Sequence, residues 1–466
     1  MGNWFRRSKA IAAGAAATLT ATLLAGCSTG SPGTPDHRIT VWSLENLAPR
    51  MAVTKKIVQR FEDRTGISVK LVGVDESQLP QLIMSSAAAG NLPDVIGGVP
   101  LAAAWQMYSN GLLDTGATRE VVDRLGAGTF EPNALRLTRD AGRQIAVPSD
   151  SWMQIVAYRK DLFARRNLAA PTSYGRMLKA AGALDHGAMS GMSLASDPSD
   201  VFTQQSFEDL ATAGGCELAD SVGHVTLDSP RCRRTFATYG RLAGTYGPPG
   251  TQTVDTTRDT YFAGRSGMVV WSSMLLDELA GLRSDALPSC PACRKDRSWL
   301  ADHTGVVTTL SGDDGGRGAQ FGEVSSWTVT RDAEKGASEK FIQYMMGGGY
   351  QDWFRMAPEG KIPVRQGTAE DPDKYRAAWR SSKIGLDHRV PFDKAYPPAL
   401  LDQLADGVGH MKRWGILQGQ GALLGATMGE LPVPKAVGEL AAGQVSAAQA
   451  AREADEEVES LSRSLR

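Results

Sequence analysis

Tryptophans beside carboxyl and hydroxyl side chains are the most chemically suggestive feature of this 466-residue chain. Trp42 and Glu45 close one apolar run, and Trp271 lies two residues before Ser273 in "GMVVWSS". Trp152 lies in the extended polar stretch "VPSDSWMQIVAY". An indole offers a flat apolar face, while the oxygens beside it form hydrogen bonds. This combination suits a polyhydroxylated ring, which has an apolar face and a rim of hydroxyl groups.

Four other residues are candidate ligand contacts on similar grounds. Asp75 ends the stretch "VGVD", Ser326 and Trp327 are neighbours in "GEVSSWTV", and Arg365 lies in "KIPVRQ". Plainer roles compete with these, because a tryptophan such as Trp42 or Trp327 also suits a core and Arg365 also suits a surface salt bridge.

Enzyme motifs that would indicate other chemistry are missing from the sequence. It contains no G-x-S-x-G elbow, no H-E-x-x-H pair and no Walker-type loop. Its six histidines are scattered without the spacing of metal ligands. We therefore expect no catalytic residue, no metal site and no cofactor. A glycosidase needs only two carboxylates, so the sequence leaves that activity open.

The N-terminus has the layout of an export signal. Arg6, Arg7 and Lys9 precede an uncharged run that is shorter than the ~20 residues of a membrane-spanning helix. The run ends in "LAGC", which resembles the bacterial lipobox; the resemblance implies cleavage before Cys27 and lipid attachment to it. We therefore expect a signal peptide over 1–26 and a flexible tether over 27–38. The arginine pair leaves open whether export is general or twin-arginine.

Four cysteines remain beyond Cys27, and an exported protein can hold them as disulfides. Their spacing favours the pairs Cys216–Cys232 and Cys290–Cys293. A redox motif and a zinc site are the alternatives. The first should lie between a strand and a helix, whereas prolines and charges flank "SCPAC". The second requires all four thiols to converge.

Strands and helices alternate along the first hundred residues. "RITVWS", "ISVKLVGV" and "LPDVIGGV" have strand character, and the segments between them carry apolar residues at helical spacing. This order predicts βαβ units in a mainly parallel sheet, with ligands beyond the carboxyl ends of its strands. The net charge of −1 excludes a broad basic surface for nucleic acid.

Several stretches, in their order, resemble a known family. "ITVWS…IVQRFEDRTGISVKLV", "AAAGNLPDVIGGV", "AYRKDLFARRNLAAPTSY" and "YFAGRSGMVVWSS" are similar to extracytoplasmic sugar-binding proteins of ABC importers, the bacterial extracellular solute-binding protein family 1, which includes maltose-binding protein. One departure is Arg159, where the family usually has asparagine.

The resemblance implies an α/β periplasmic-binding-protein fold with two lobes joined by crossover strands around a ligand cleft. Lobe 1 would comprise residues 39–148 and 305–345, and lobe 2 residues 149–304 and 346–466. The protein would be a lipid-anchored, non-enzymatic monomer on the outer face of the cell membrane. It would bind a mono- or oligosaccharide and deliver it to the permease subunits.

Two other functions remain compatible with the sequence. A surface carbohydrate-active hydrolase would also need a cleft with tryptophans and acids, and only turnover would distinguish it. A binding lipoprotein for another polar solute would keep the fold and change the ligand.

The lipobox interpretation predicts the effect of one substitution. Because only a thiol accepts the lipid, Cys27→Ser should leave the protein unlipidated and move it from the detergent phase to the aqueous phase. Detergent partitioning of cell fractions measures this, with Cys216→Ser as the control that keeps Cys27. Equal membrane association of the Cys27→Ser variant and the natural chain would contradict the interpretation.

Overall fold

The computed structural model describes residues 38–313 and 318–465. The predicted signal peptide, Cys27 and all but the last residue of the tether lie outside these ranges. The strands are β1 (Arg38–Ser43), β2 (Ser68–Gly73), β3 (Val95–Val99), β4 (Arg139–Asp140), β5 (Arg143–Gln144), β6 (Val147–Arg159), β7 (Met268–Ser272), β8 (Thr304–Val307), β9 (Gly322–Val329), β10 (Ile362–Pro363), β11 (Lys383–Ile384) and β12 (Val390–Pro391).

Helices account for most of the remaining regular structure. They are α1 (Ala48–Thr65), α2 (Leu79–Ala89), α3 (Leu101–Ser109), α4 (Thr115–Leu125), α5 (Pro132–Leu137), α6 (Lys160–Arg165), α7 (Tyr174–Leu184), α8 (Val201–Gly214), α9 (Pro230–Gly240), α10 (Val254–Phe262), α11 (Leu275–Leu279), α12 (Trp299–Asp302), α13 (Lys335–Met345), α14 (Tyr350–Arg355), α15 (Lys374–Arg380), α16 (Phe392–Ala395), α17 (Pro398–Gly407), α18 (Gly421–Glu430), α19 (Pro432–Ala441) and α20 (Ala447–Ser464).

The first three strands form the parallel sheet that the alternating pattern predicts. β1 lies between β2 and β3 and runs parallel to both. Helix α1 buries Ile57, Val58 and Phe61 on one side, which is the stripe expected of a helix covering a sheet. β9 then joins β3 in the antiparallel direction, and β6 follows β9.

β6 is shared between two groups of strands. The half of this 13-residue strand up to Met153 pairs with β9 and β10. The half from Gln154 onward pairs with β7 and β8. We call the structure around β1, β2, β3 and β9 lobe 1, and the structure around β7 and β8 lobe 2; one continuous strand links them.

The boundary between the lobes differs from the sequence-based one, which assigned residues 346–466 to lobe 2. The beginning of α14 lies so close to α1 that a Cβ on Gly349 would be 2.5 Å from the Ile57 side chain. Arg60 of α1 also pairs with Asp352 of α14. Residues 346–365 therefore pack against lobe 1, since β10 also pairs with the first half of β6.

The C-terminal helices mostly complete lobe 2. α19 and α20 pack against each other and against α9, and α20 buries Ala450, Ala454 and Val458 on its inner face. α18 contacts α3 of lobe 1, where a Cβ on Gly421 would lie 2.3 Å from the Trp105 ring. The two lobes are therefore in direct contact at this end of the cleft. No helix among the described residues has the length and apolar character needed to cross a membrane.

Two disulfides lie in lobe 2, and their pairing is the one that the spacing favours. Cys216 is linked to Cys232, and Cys290 to Cys293. The described part of the chain contains no group of three or more His, Cys, Asp or Glu side chains placed to hold a metal ion. All four half-cystines are buried.

The two disulfides should differ in their contribution to stability. Cys216 and Cys232 are 16 residues apart, so replacing both with Ala should lower the free energy of unfolding by ~3 kcal/mol through loop entropy. Cys290 and Cys293 are 3 residues apart, and the same substitution there should cost only ~2 kcal/mol. Urea denaturation of the two double variants measures the difference, and a larger cost for the short loop would contradict the entropic explanation.

Candidate functional site

A cavity of about 350 Å³ lies between the two lobes. Lobe 1 contributes the start of α2, the start of α3 and Glu323 of β9, while lobe 2 contributes α8. Arg413 and the end of α18 complete the wall. The volume is at the lower end of the ~300–1,000 Å³ typical of small-molecule sites. A cavity that both lobes line is one that their relative movement can open or close.

Arg413 connects the two sides of this cavity. Its guanidinium donates to Glu208 of α8, with Nε 3.1 Å from Oε1, and also to Oε2 of Glu323. It lies over the Phe321 ring, 4.9 Å from the ring centroid. All three charged side chains are buried, so each depends on the others for compensation. Burial raises the pKa of Glu208 despite the attraction of Arg413.

Glu323 has a second partner at the beginning of α3. Its Oε1 accepts a hydrogen bond from the backbone N–H of Leu101 at 2.9 Å. The first N–H groups of a helix lack partners within the helix, and the helix dipole favours a negative charge there. Glu323 thus fixes both Arg413 and the first turn of α3.

Two buried acceptors in the cavity wall have no hydrogen-bond donor among the described residues. They are Oε2 of Glu208 and Oε1 of Gln204. Glu208 is 0% exposed and Gln204 is 2% exposed, and both line the cavity. A buried polar atom without a partner costs ~1–3 kcal/mol, so these atoms indicate where a ligand's donors are expected.

Glu76 faces the same cavity from lobe 1. Solvent reaches its side chain, yet the surrounding protein desolvates the carboxylate. This desolvation and the negative charges of Glu323, Glu45 and Asp75 raise the pKa of Glu76 to about 7. The cavity therefore has an excess of negative charge on its lobe 1 side.

None of the expected ligand contacts is among the residues that line this cavity, but Trp152 is next to one that does. It is opposite Glu323 in the β6–β9 register, so both side chains are on the same face of the sheet. Its ring is 6.1 Å from that of Phe321, and 8% of the residue is exposed. Trp42 is half-buried on β1. Asp75 is exposed and accepts hydrogen bonds from Ser77, next to the cavity residue Glu76.

Glu45, also predicted as a ligand contact, is paired with two cations. Lys361 lies 2.6 Å from its Oε1, and Arg50 lies 2.9 Å from its Oε2. Burial alone would raise the pKa of Glu45, but the two cations lower it to about 2. Lys361 also pairs with the buried Asp150 at 2.9 Å and lies over the Trp353 ring. This network stabilises lobe 1 internally.

Trp271 and Ser273 are buried and are not among the residues that line this cavity. The Trp271 ring packs 5.6 Å from Phe202, and its Nε1 donates to the Val254 carbonyl at 3.2 Å. Ser273 is fully buried and donates to the Glu359 carbonyl at 2.6 Å. The strand end turns inward here because α10 and α11 cover it.

Ser326, Trp327 and Arg365 are also buried and are not among the residues that line this cavity. Ser326 and Trp327 are 0% exposed, and the indole packs 4.9 Å from that of Trp353. The Arg365 guanidinium donates to the backbone carbonyls of Met346 and Leu125, at 2.6 and 2.9 Å. Its role is to tie α4 to the end of α13.

Sequence reasoning missed Gln204, Glu208 and Arg413. The sequence does contain a signal for Gln204 and Glu208. They are four residues apart on the inward face of α8, whose other inward positions are the apolar Phe207, Leu210 and Ala211. Arg413 lies in the irregular stretch between α17 and α18, and no pattern in that stretch marks it.

The chain belongs to the bacterial extracellular solute-binding protein family, whose model matches residues 56–380. "Putative ABC transporter periplasmic-binding protein YcjN" of Escherichia coli strain K12 is 26% identical over 343 residues, which is 72% of this chain and 74% of that protein. The chain is therefore an ABC transporter solute-binding protein, located outside the cytoplasm and non-enzymatic.

Solved structures show the same mixed α/β periplasmic-binding-protein fold. Maltose-bound MalE3 of T. maritima has a TM-score of 0.68 and 18% identity, with 91% of this chain and 99% of that one covered. The GacH receptor of Streptomyces glaucescens, solved unliganded and with acarbose, has a TM-score of 0.68 and 16% identity, with 91% and 98% covered. A sugar transporter from Arthrobacter chlorophenolicus with laminaribiose has a TM-score of 0.68, 16% identity and coverages of 91% and 99%.

The bridge through Arg413 predicts a stability change that depends on pH. Arg413→Met leaves Glu208 and Glu323 as buried carboxylates without their cation, which should lower the free energy of unfolding by ~3–5 kcal/mol at pH 7. In this variant the folded-state pKa of Glu208 lies further above its unfolded value. The folded protein then binds more protons, and stability should recover as pH falls toward ~5.

Denaturant unfolding at pH 7 and at pH 5 measures this recovery. The control is the triple variant Arg413→Met, Glu208→Gln, Glu323→Gln, which removes all three charges and should be less sensitive to pH. A loss for Arg413→Met that is equal at both pH values would show that the bridge is not what stabilises this region.

Proposed function

We propose that the chain binds a sugar in the cleft between its lobes and delivers it to ABC permease subunits in the membrane. The observation that carries this proposal is the inter-lobe cavity with its unpaired acceptors on Gln204 and Glu208 and with Trp152 beside Glu323. Structures of the same fold are described with maltose, laminaribiose, ribitol and tagatose, which supports a carbohydrate ligand.

Sugar binding would combine apolar contact on the face of the ring with hydrogen bonds to its hydroxyls. The indole of Trp152 would cover the apolar face of the ring, where buried area contributes ~25 cal/mol per Å². The oxygens of Gln204, Glu208 and Glu76 would accept hydrogen bonds from the hydroxyls. Closure of the lobes would exclude water and strengthen both interactions.

The anchor is part of the same proposal. A lipid on Cys27 would hold the binding protein on the outer face of the cell membrane, beside the permease that it serves. Another polar solute is the remaining alternative ligand.

A ligand screen tests the proposed function. Differential scanning fluorimetry of the purified chain with sugars, polyols and amino acids should show a higher melting temperature with a sugar only. A ligand at 100 times its Kd stabilises the folded form by ~2.7 kcal/mol. Stabilisation by an amino acid and by no sugar or polyol would favour the other polar solute.

Two tryptophan variants then test the site. Trp152→Ala should weaken binding of the best sugar about 10- to 100-fold, equivalent to ~1.5–3 kcal/mol of lost apolar contact. Trp271→Ala is the matched control: it should lower the free energy of unfolding by ~3–5 kcal/mol and leave the affinity of the folded protein unchanged. Calorimetry measures the affinity and urea denaturation measures the free energy of unfolding of each variant. If Trp271→Ala weakens binding and Trp152→Ala only lowers stability, Trp271 and not Trp152 contacts the sugar.

A further inference from the structure

The charges lining the cavity do not balance. Among the residues that the structure describes, four carboxylates and one cation, Arg413, line it; the carboxylates are Glu76, Asp200, Glu208 and Glu323. Arg413 is already engaged by Glu208 and Glu323. Glu76 forms no ion pair with any residue of the described chain. A cavity of this kind presents an uncompensated negative field to whatever enters it.

Hydrogen bonding in the cavity is equally one-sided. The two buried atoms without partners, Glu208 Oε2 and Gln204 Oε1, are both positioned as acceptors. Both belong to side chains that are more than nine-tenths buried and line the cavity. A hydroxyl would bring one donor together with lone pairs that need donors of their own. An ammonium group brings three donors and no acceptor.

We propose that the sugar bound in this cleft carries a protonated amine, which lies among Glu208, Gln204 and Glu76. The inference rests on the sugar-binding function proposed above and narrows its ligand to amino sugars and amino-oligosaccharides. The ammonium donates hydrogen bonds to the unpaired acceptors of Gln204 and Glu208 on α8. Its positive charge also neutralises the part of the cavity's negative charge that Arg413 does not compensate.

The surroundings of Glu76 agree with a cationic ligand. Desolvation first, and then the charges of Glu323, Glu45 and Asp75, raise its pKa to about 7 in the empty cleft. Glu45 is itself paired with Lys361 and Arg50, and Arg413 pairs with Glu323 and Glu208. A cation beside Glu76 would therefore give this carboxylate the ion pair that it forms with no residue of the described structure.

Matched sugars test the amine directly. Titration calorimetry of the full chain at pH 7 would compare the chitosan disaccharide, N,N′-diacetylchitobiose and cellobiose, which share one β-1,4-linked backbone and differ only at C2. Glucosamine and glucose form a second pair. We expect the amine-bearing sugar of a set to bind at least tenfold more tightly than its neutral counterparts, a difference that one charge interaction in the cleft can supply.

The outcomes separate this inference from the function on which it rests. If neutral sugars bind as tightly as the amine-bearing sugars, or more tightly, the inference of an amine in the ligand is wrong and the proposed sugar binding still holds. If no amine-bearing sugar binds while sugars of the wider screen do, the amine is also overturned. If no sugar of any kind binds, the proposed function fails together with the inference.

A charge-removal variant tests the position of the amine. Glu76→Gln keeps the size of the side chain and an oxygen that accepts from a hydroxyl, so it should reduce affinity for the amine-bearing sugar about tenfold more than affinity for the neutral sugar. Glu456→Gln is the control, since Glu456 is exposed on α20 outside the cavity and its loss changes the net charge equally. If Glu76→Gln weakens neutral and amine-bearing sugars equally, Glu76 does not bind an ammonium group.

Discussion

A single strand, β6, hydrogen-bonds to lobe 1 with its first half and to lobe 2 with its second half. Its residues are almost entirely buried, so it cannot shift in one lobe without shifting in the other. Its pairing partner changes near Met153 and Gln154, next to Trp152. Trp152 and Glu323 owe their position beside the cavity to the register between β6 and β9. The same continuity gives the two lobes a common strand about which they can move.

The protein contains two networks of buried charged side chains with different positions relative to the lobes. Lys361, Glu45 and Asp150 compensate one another inside lobe 1, whereas Arg413 compensates one acid from each lobe. Removing ions from water costs several kcal/mol per ion, and only close pairing offsets that cost. The first network consolidates one lobe. The second joins one acid of each lobe through a single guanidinium.

The site has the properties of a binding protein and not of an enzyme, in agreement with the family. Glu208 and Glu323 bind Arg413, and Glu323 also accepts a hydrogen bond from the first turn of α3. Glu208 Oε2 and Gln204 Oε1 have no donor among the described residues. Such atoms carry a cost in the empty protein that a complementary ligand removes. In the proposed function, affinity and selectivity come from the oxygens of Gln204 and Glu208 on α8 and of Glu76 before α2, together with the indole of Trp152.

The sequence by itself determined the βα alternation of lobe 1, the family and the disulfide pairing that the structure contains, because periodicity and spacing are local properties. Only the tertiary structure decided which strand-end residues are buried. Trp271, Ser273, Ser326 and Trp327 have the composition of cleft residues, but helices packed over their strands bury them. The assignment of residues 346–365 to lobe 1, and the convergence of Gln204, Glu208 and Arg413, likewise depend on contacts between segments 200 residues apart. No local pattern encodes such contacts, since they arise only when separate helices meet across a cleft.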